Sequence, residues 1–161
     1  MKLFLLLFSF LLTSIAQADP SLSSFDLPVC HDINGVPVRE GVIADISFGP
    51  AFSTVSQNAP AIFVNWAEMK KYSSSRDTIR FILEHECGHC ALGHIYTNTN
   101  NRKKTNKDEL DADCYAAKQA KSLGINIQNV IKDVDLLPRD PSHPSGLVRA
   151  KNIQKCYNQK S

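Results

Sequence analysis

The chain has 161 residues, of which 43% are hydrophobic and 21% are charged, with seven Gly and eight Pro. This composition is typical of a globular protein and excludes collagen-like, coiled-coil and broadly disordered chains. Eighteen Lys and Arg against sixteen Asp and Glu leave a net charge of only +2. Such a weak bias does not indicate nucleic acid or an anionic membrane as a partner.

The N-terminus is the most apolar segment of the chain. Lys2 precedes an almost unbroken apolar run over 3–16, and an Ala-Gln-Ala sequence follows at 16–18. A positive start, an apolar core of about 7–15 residues and a small-residue site are typical of a cleaved secretory signal, whereas a membrane-spanning helix needs about 20 apolar residues. We therefore expect a signal peptide at 1–18 and a single domain at 19–161. We expect export to the periplasm or the medium, without stable membrane insertion after cleavage.

The remaining pattern predicts a small, mostly helical α+β domain. Strands are expected at 42–48, where apolar residues alternate, and at 61–66, which is rich in β-branched and aromatic residues. A long helix is expected to begin after Ser74 or Ser75 and to run to 94 or 95. A polar loop should separate it from the next helix. The other predicted helices cover 67–73, 107–123 (ending before Gly124), 127–137 and 145–157.

The central segment reads His85-Glu86-Cys87-Gly88-His89, an H-E-x-x-H pattern. Because each residue of a helix turns by about 100°, His85 and His89 share one face and can bind one zinc ion. Glu86 flanks them and is placed to accept a proton from a water that the ion activates. Taken alone, the pattern also fits two surface histidines one turn apart.

A catalytic zinc ion needs a third protein ligand and an open position. His94 lies about 180° round a continuing helix from His85, so we expect it to face away from the ion. Glu109 and Asp113 on the next helix are better candidates, because they again share a face one turn apart. One carboxylate can bind the ion while the other orients an imidazole through its distal N–H. The alternative is an acidic, solvent-exposed helix end.

Together these motifs resemble the gluzincin metallopeptidases of the HtpX, BepA and CAAX prenyl protease type. The resemblance rests on H-E-x-x-H at 85–89 with a histidine at 94, on E-x-x-A-D at 109–113, and on a His143-Pro144 pair followed by Arg149. It covers about residues 61–153 and implies a zincin-like fold with zinc-dependent endopeptidase activity on a peptide or protein. We expect a minimal version, without the transmembrane helices of HtpX and the prenyl proteases or the helical repeats of BepA.

The resemblance also implies roles for individual residues. The implied zinc ligands are His85, His89 and Glu109. Glu86 would be the general base, and Asp113 would orient a ligand. His143 would lie near the site and stabilise the transition state or cover the metal, and His143 or Arg149 could stabilise the oxyanion. His143 can equally be an ordinary loop residue, and Arg149 can pair with a carboxylate or be exposed.

The five cysteines of an exported chain are expected to form disulfides, and because five is odd at least one stays outside an internal pair. Cys87 and Cys90 lie on the back of the metal helix, so the preferred pairing joins one of them to Cys114. A second bond from Cys30 to Cys156 would join the two ends of the domain.

Three other functions remain open at this point. The scaffold could be a catalytically silent binding module, although such a module has no need of Glu86. The sequence Cys87-Gly88-His89-Cys90 matches the active site of thiol-disulfide oxidoreductases, although it lies deep in a helical run. A structural zinc site could use Cys87, Cys90 and Cys114. For a peptidase, an extended peptide could add to a free edge of the strand at 61–66.

Overall fold

The computed structural model describes residues 29–44, 49–72, 75–96, 105–137 and 143–159. The predicted signal peptide at 1–18 and most of the loop after Tyr96 lie outside these ranges. The described residues form an α+β fold with three strands and five α-helices. The strands are β1 (Arg39–Val42), β2 (Ala51–Ser56) and β3 (Ala59–Val64). The helices are α1 (Trp66–Tyr72), α2 (Arg76–Ala91), α3 (Asn106–Ser122), α4 (Ile127–Asp135) and α5 (Gly146–Asn158), with a 3₁₀ turn at His94–Tyr96.

The sheet has the order β1-β3-β2, so β3 is its central strand. β3 pairs in parallel with β1 and antiparallel with β2. A two-residue turn, with positive φ at Gln57 and Asn58, connects β2 to β3. The expectation that the segment at 61–66 offers a free edge is therefore wrong. The strand expected at 42–48 is wrong at residues 43 and 44, which follow the end of β1 at Val42, and residues 45–48 lie outside the described ranges.

β2, which the sequence analysis missed, forms an outer strand of this sheet. Asn65 N–H, just after β3, donates to the carbonyl of Pro50, just before β2. The main-chain N–H and C=O groups of the even-numbered residues of β2 therefore point toward β3. Because direction alternates along a strand, the main-chain groups of Ala51, Ser53 and Val55 point to the opposite edge. No described strand pairs with that edge.

The helices begin where the sequence offers caps. Ser75 accepts a hydrogen bond from Thr78 N–H at the start of α2, and Thr105 forms a capping box with Asp108 at the start of α3. α2 ends at Ala91, earlier than expected, because Gly93 adopts a φ of +76° and reverses the chain. The predicted helices at 67–73, 127–137 and 145–157 are confirmed to within two residues at each end.

α2 and α3 approach each other closely at Gly88. A Cβ atom at this position would lie 3.2 Å from the Cα of Ala112 and 3.1 Å from the Cβ of Tyr115. Glycine therefore allows the two helix backbones to come together inside the H-E-x-x-H segment. Two apolar clusters support this pair. One packs α2 against the sheet and contains Val64, Met69 and Leu83, and the other lies among α2 to α5 and contains Phe81, Ala116, Val130 and Ile153.

The disulfides are Cys30–Cys87 and Cys114–Cys156, with Cα atoms 5.7 and 5.2 Å apart. Both expected pairings, Cys114 with a cysteine of α2 and Cys30 with Cys156, are therefore wrong. The pairing with Cys114 is wrong because Gly88, not Cys87, lies on the face of α2 that meets α3. Cys87 instead points to the segment before the sheet, where Cys30 lies. Cys114 is directed to α5. Cys90 is a buried thiol outside both bonds.

These bonds also weigh against two of the alternatives. Cys87 is bonded to Cys30 rather than to Cys90, and the C-x-x-C sequence occupies the C-terminal half of α2, where the helix dipole does not favour a thiolate. Cys87 and Cys114 are in separate disulfides, so they are not available together as zinc ligands. Within the described ranges, no helix has the length and apolar character needed to cross a bilayer.

Candidate metal centre

Three of the predicted ligands converge at the contact between α2 and α3. The Nε2 atoms of His85 and His89 are 3.1 Å apart. Glu109 Oε2 lies 3.2 Å from Nε2 of His85, and Oε1 lies 3.5 Å from Nε2 of His89. All three side chains are buried, and their ligand atoms lie within 4.8 Å of one another. The structure thus brings together the two imidazoles and the carboxylate that the sequence analysis assigned to one metal ion.

Helix geometry explains this convergence. His85 and His89 are one turn apart on α2, and Glu109 and Asp113 are one turn apart on α3. Because Gly88 allows close contact with Ala112, each of these pairs faces the other across the interface.

A carboxylate and a guanidinium support His85 from behind. His85 Nδ1 lies 2.9 Å from Asp113 Oδ1. Arg149 on α5 donates from Nε to Oδ2 at 2.9 Å and from Nη2 to Oδ1 at 2.7 Å. The structure therefore places Arg149 on Asp113, which agrees with the sequence-based alternative that it pairs with a carboxylate.

The electrostatics of this group favour an ionised Asp113. Burial raises the pKa of Asp113, but the charge and hydrogen bonds of Arg149, together with those of His85, outweigh burial and hold that pKa below its usual value. Burial likewise opposes the charged form of His85, and hydrogen bonds with Asp113 and Glu109 overcome it and raise the pKa of His85 to about 9. In the neutral ring, donation from Nδ1 to Asp113 leaves the lone pair of Nε2 facing Glu109 and His89.

His94 also reaches the centre, against the expectation that it faces away. Its Nδ1 lies 2.9 Å from Nδ1 of His89, and its Nε2 lies 3.7 Å from Oδ1 of Asp108. The expectation assumed that α2 continues to His94, whereas the helix ends three residues earlier and Gly93 turns the chain back. A glycine immediately before His94 was the signal in the sequence that could have indicated this reversal.

The predicted general base, Glu86, directly follows His85 on α2 and is hydrogen-bonded to the sheet. Ser53 Oγ donates to Glu86 Oε2 at 2.8 Å, and Glu86 is only 6% exposed. Ser53 is not among the residues predicted from the sequence, because no strand is expected in its segment.

His143 lies at the rim of the centre. Its Nε2 is 3.2 Å from Glu109 Oε2, and 36% of its side chain is exposed. This residue precedes α5 and is the most accessible of the side chains around Glu109. The structure therefore brings His143 to the site, as the resemblance implied.

The donor set fits a zinc ion. Two imidazole nitrogens and one carboxylate are the protein ligands of one class of catalytic zinc centre, which leaves a coordination position for water or substrate. His85 has the carboxylate partner behind its ring that ligating histidines normally have. Comparisons with models of protein families, with curated proteins and with solved structures gave no match.

Proposed function

We propose that this protein is a zinc-dependent endopeptidase of the gluzincin type, exported and with a minimal zincin-like fold. The observation that carries the proposal is the convergence of His85, His89 and Glu109, with a buried acid, Glu86, directly after His85 on the same helix. A purely structural metal site has no use for this additional carboxylate. The order of the three sequence motifs supports the same assignment.

The residues around the ligands have complementary roles. When bound, zinc supplies Lewis-acid activation of a water molecule and of the scissile carbonyl. Glu86 accepts a proton from the attacking water and passes it to the leaving amine. Ser53 holds one oxygen of Glu86, which orients the carboxylate. Asp113, fixed by Arg149, holds the ring of His85 so that Nε2 faces the ligand cluster.

His143 is the candidate for stabilising the developing oxyanion. It is the accessible imidazole beside Glu109, and an N–H donor at such a place acts where negative charge develops during attack on the carbonyl. Arg149 is assigned to Asp113 instead, because its described hydrogen bonds both go to that carboxylate.

A peptide substrate would bind along the outer edge of β2. The main-chain groups of Ala51, Ser53 and Val55 point to this edge, and an extended chain can add there through backbone hydrogen bonds. The Ser53 side chain contacts Glu86, so a peptide paired with this strand would pass close to the general base. This replaces the predicted strand at 61–66 as the docking edge.

Export is supported by the cysteines. Two disulfides in a single small domain are typical of proteins that mature in an oxidising compartment. Together with the apolar N-terminal segment, they favour the periplasm or the medium as the place of action.

The decisive experiment compares the wild-type chain with Glu86→Gln. Metal content and cleavage of casein and of a peptide library are measured for both. We expect both to bind about one zinc ion and only the wild type to cleave. Glu84→Gln is a matched control, because Glu84 is another buried glutamate of α2 and lies outside the ligand cluster.

The other outcomes of this comparison contradict the proposal. Zinc bound by both proteins without cleavage by either would favour a binding module on the same scaffold. Cleavage by Glu86→Gln at the wild-type rate would remove Glu86 from the mechanism. Absence of zinc binding by the wild type would overturn the metal centre itself.

A further inference from the structure

The two histidines of the centre have different partners behind their rings. His85 meets the carboxylate of Asp113, whereas His89 meets a second imidazole, that of His94, with the two Nδ1 atoms 2.9 Å apart. The side chain of His94 is 10% exposed and that of His89 is fully buried. This contact is therefore an interior one.

The chemistry of imidazole determines the direction of this hydrogen bond. If His89 binds a metal through Nε2, that atom carries the lone pair, and the proton of the neutral ring resides on Nδ1. Nδ1 of His89 must then donate, and Nδ1 of His94 must accept. His94 in turn carries its proton on Nε2.

Asp108 faces the Nε2–H of His94. Its Oδ1 lies 3.7 Å from Nε2, which is beyond hydrogen-bond length but close enough for electrostatic attraction in a buried setting. Its Oδ2 accepts hydrogen bonds from the main chain and the hydroxyl of Thr105 in the capping box of α3. The same carboxylate thus forms the capping box of α3, the helix that carries Glu109, and attracts a proton to Nε2 of His94.

We propose that His94 is a positioning residue that sets the tautomer and ring orientation of His89 for metal binding. This inference rests on the metal centre of the proposed function. His94 and Asp108 orient the ring of His89, as Asp113 and Arg149 orient the ring of His85. His94 itself does not bind the ion, because its Nδ1 is occupied by His89 and its Nε2 is directed to α3.

The test measures metal binding rather than catalysis. Zinc affinity is measured by competition with a chelator for the wild type, His94→Leu, His94→Gln and His31→Leu. Leu fills the space without accepting a hydrogen bond, whereas the amide oxygen of Gln can accept one. His31 is exposed, so its replacement by Leu is the matched control. The cobalt-loaded proteins are also compared by NMR, which detects the exchangeable ring N–H signals of ligating histidines.

We expect His94→Leu to bind zinc about 10–100-fold more weakly and to lose one of the two exchangeable ring signals, that of His89. His94→Gln should keep this signal and most of the affinity, and His31→Leu should behave as the wild type. A structural role alone would not distinguish Leu from Gln in this way.

Two results would overturn the inference. One is wild-type affinity with both ring signals in His94→Leu. The other result is loss of the His89 ring signal in folded His94→Gln. If His94→Leu does not fold, the signal in His94→Gln alone tests whether His94 orients His89. Failure of the wild type to bind zinc would instead contradict the proposed metal centre, so the two failures are distinguishable.

Discussion

Ser53 Oγ donates a hydrogen bond to Glu86 Oε2 across the contact between β2 and α2. This bond connects the strand proposed to dock a peptide to the acid proposed as the general base. The position of Glu86 is thereby coupled to the position of the sheet. A carboxylate held in this way loses less rotational freedom when it reacts than an exposed one.

Replacing Ser53 by Ala should lower the rate of peptide cleavage without lowering zinc affinity. A hydrogen bond to a charged group contributes about 1.5–3 kcal/mol, so a fall in kcat of about tenfold or more is expected. Steady-state kinetics and zinc titration are the measurements. Ser53→Thr retains the hydroxyl and should recover most of the rate, whereas an unchanged rate in Ser53→Ala would show that Glu86 does not depend on this bond.

Loss of Arg149 should destabilise the metal-free protein. Arg149→Met leaves the buried Asp113 with His85 still beside it, so the loss of stability should be at most about 3–5 kcal/mol, the cost of breaking a buried pair from one side. Urea unfolding at neutral pH measures the change. The double variant Arg149→Met with Asp113→Asn removes both charges and should regain part of the loss. A change below about 1 kcal/mol, the range of exposed pairs, would contradict this role.

Zinc binding should release a proton and weaken as the pH falls. The pKa of His85 in the metal-free protein is raised to about 9, so the ring is protonated at pH 7 and the ion must displace that proton. Affinity should therefore increase with pH up to about 9 and then level off. Calorimetry in buffers of different ionisation enthalpy measures the released proton. Because Asp113 raises the pKa of His85, zinc binding to Asp113→Asn should release fewer protons at pH 7 than zinc binding to the wild type. Equal proton release by the two proteins would show that Asp113 is not the cause of the raised pKa.

The disulfide pairing is open to a direct check. Non-reducing digestion should yield linked peptides that contain Cys30 with Cys87 and Cys114 with Cys156. Replacing Cys114 and Cys156 together by Ala should lower the free energy of unfolding by about 2–4 kcal/mol, because the unfolded chain then loses a covalent restraint. A peptide linking Cys30 to Cys156 would contradict the pairing.

Local sequence patterns predicted the helices and the side-chain pairs that α2 and α3 present to each other, because both depend on spacings of three and four residues. His85 with His89 and Glu109 with Asp113 are recognisable as one-turn pairs from their spacing, and the structure brings both pairs together. Contacts that depend on where the chain turns were missed. His94 was placed on the wrong side because Gly93 was not recognised as ending the helix, and Ser53 was missed because β2 has weak alternation and a turn, Gln57-Asn58, without glycine. The predicted cysteine pairs are wrong because disulfides join elements that are far apart in the chain, and local spacing does not predict which of these elements meet.

Gly88 lies between the two histidines, where α3 comes nearest, and Ala112 opposite it lies between the two acidic residues. A Cβ atom at 88 would be tight against that backbone, so α3 would have to yield by a few tenths of an ångström, and a larger side chain would move Glu109 and Asp113 away from the two imidazoles. The spacing of the proposed metal centre thus depends on the glycine at 88, and we expect a bulky substitution there to weaken metal binding although every proposed ligand is still present.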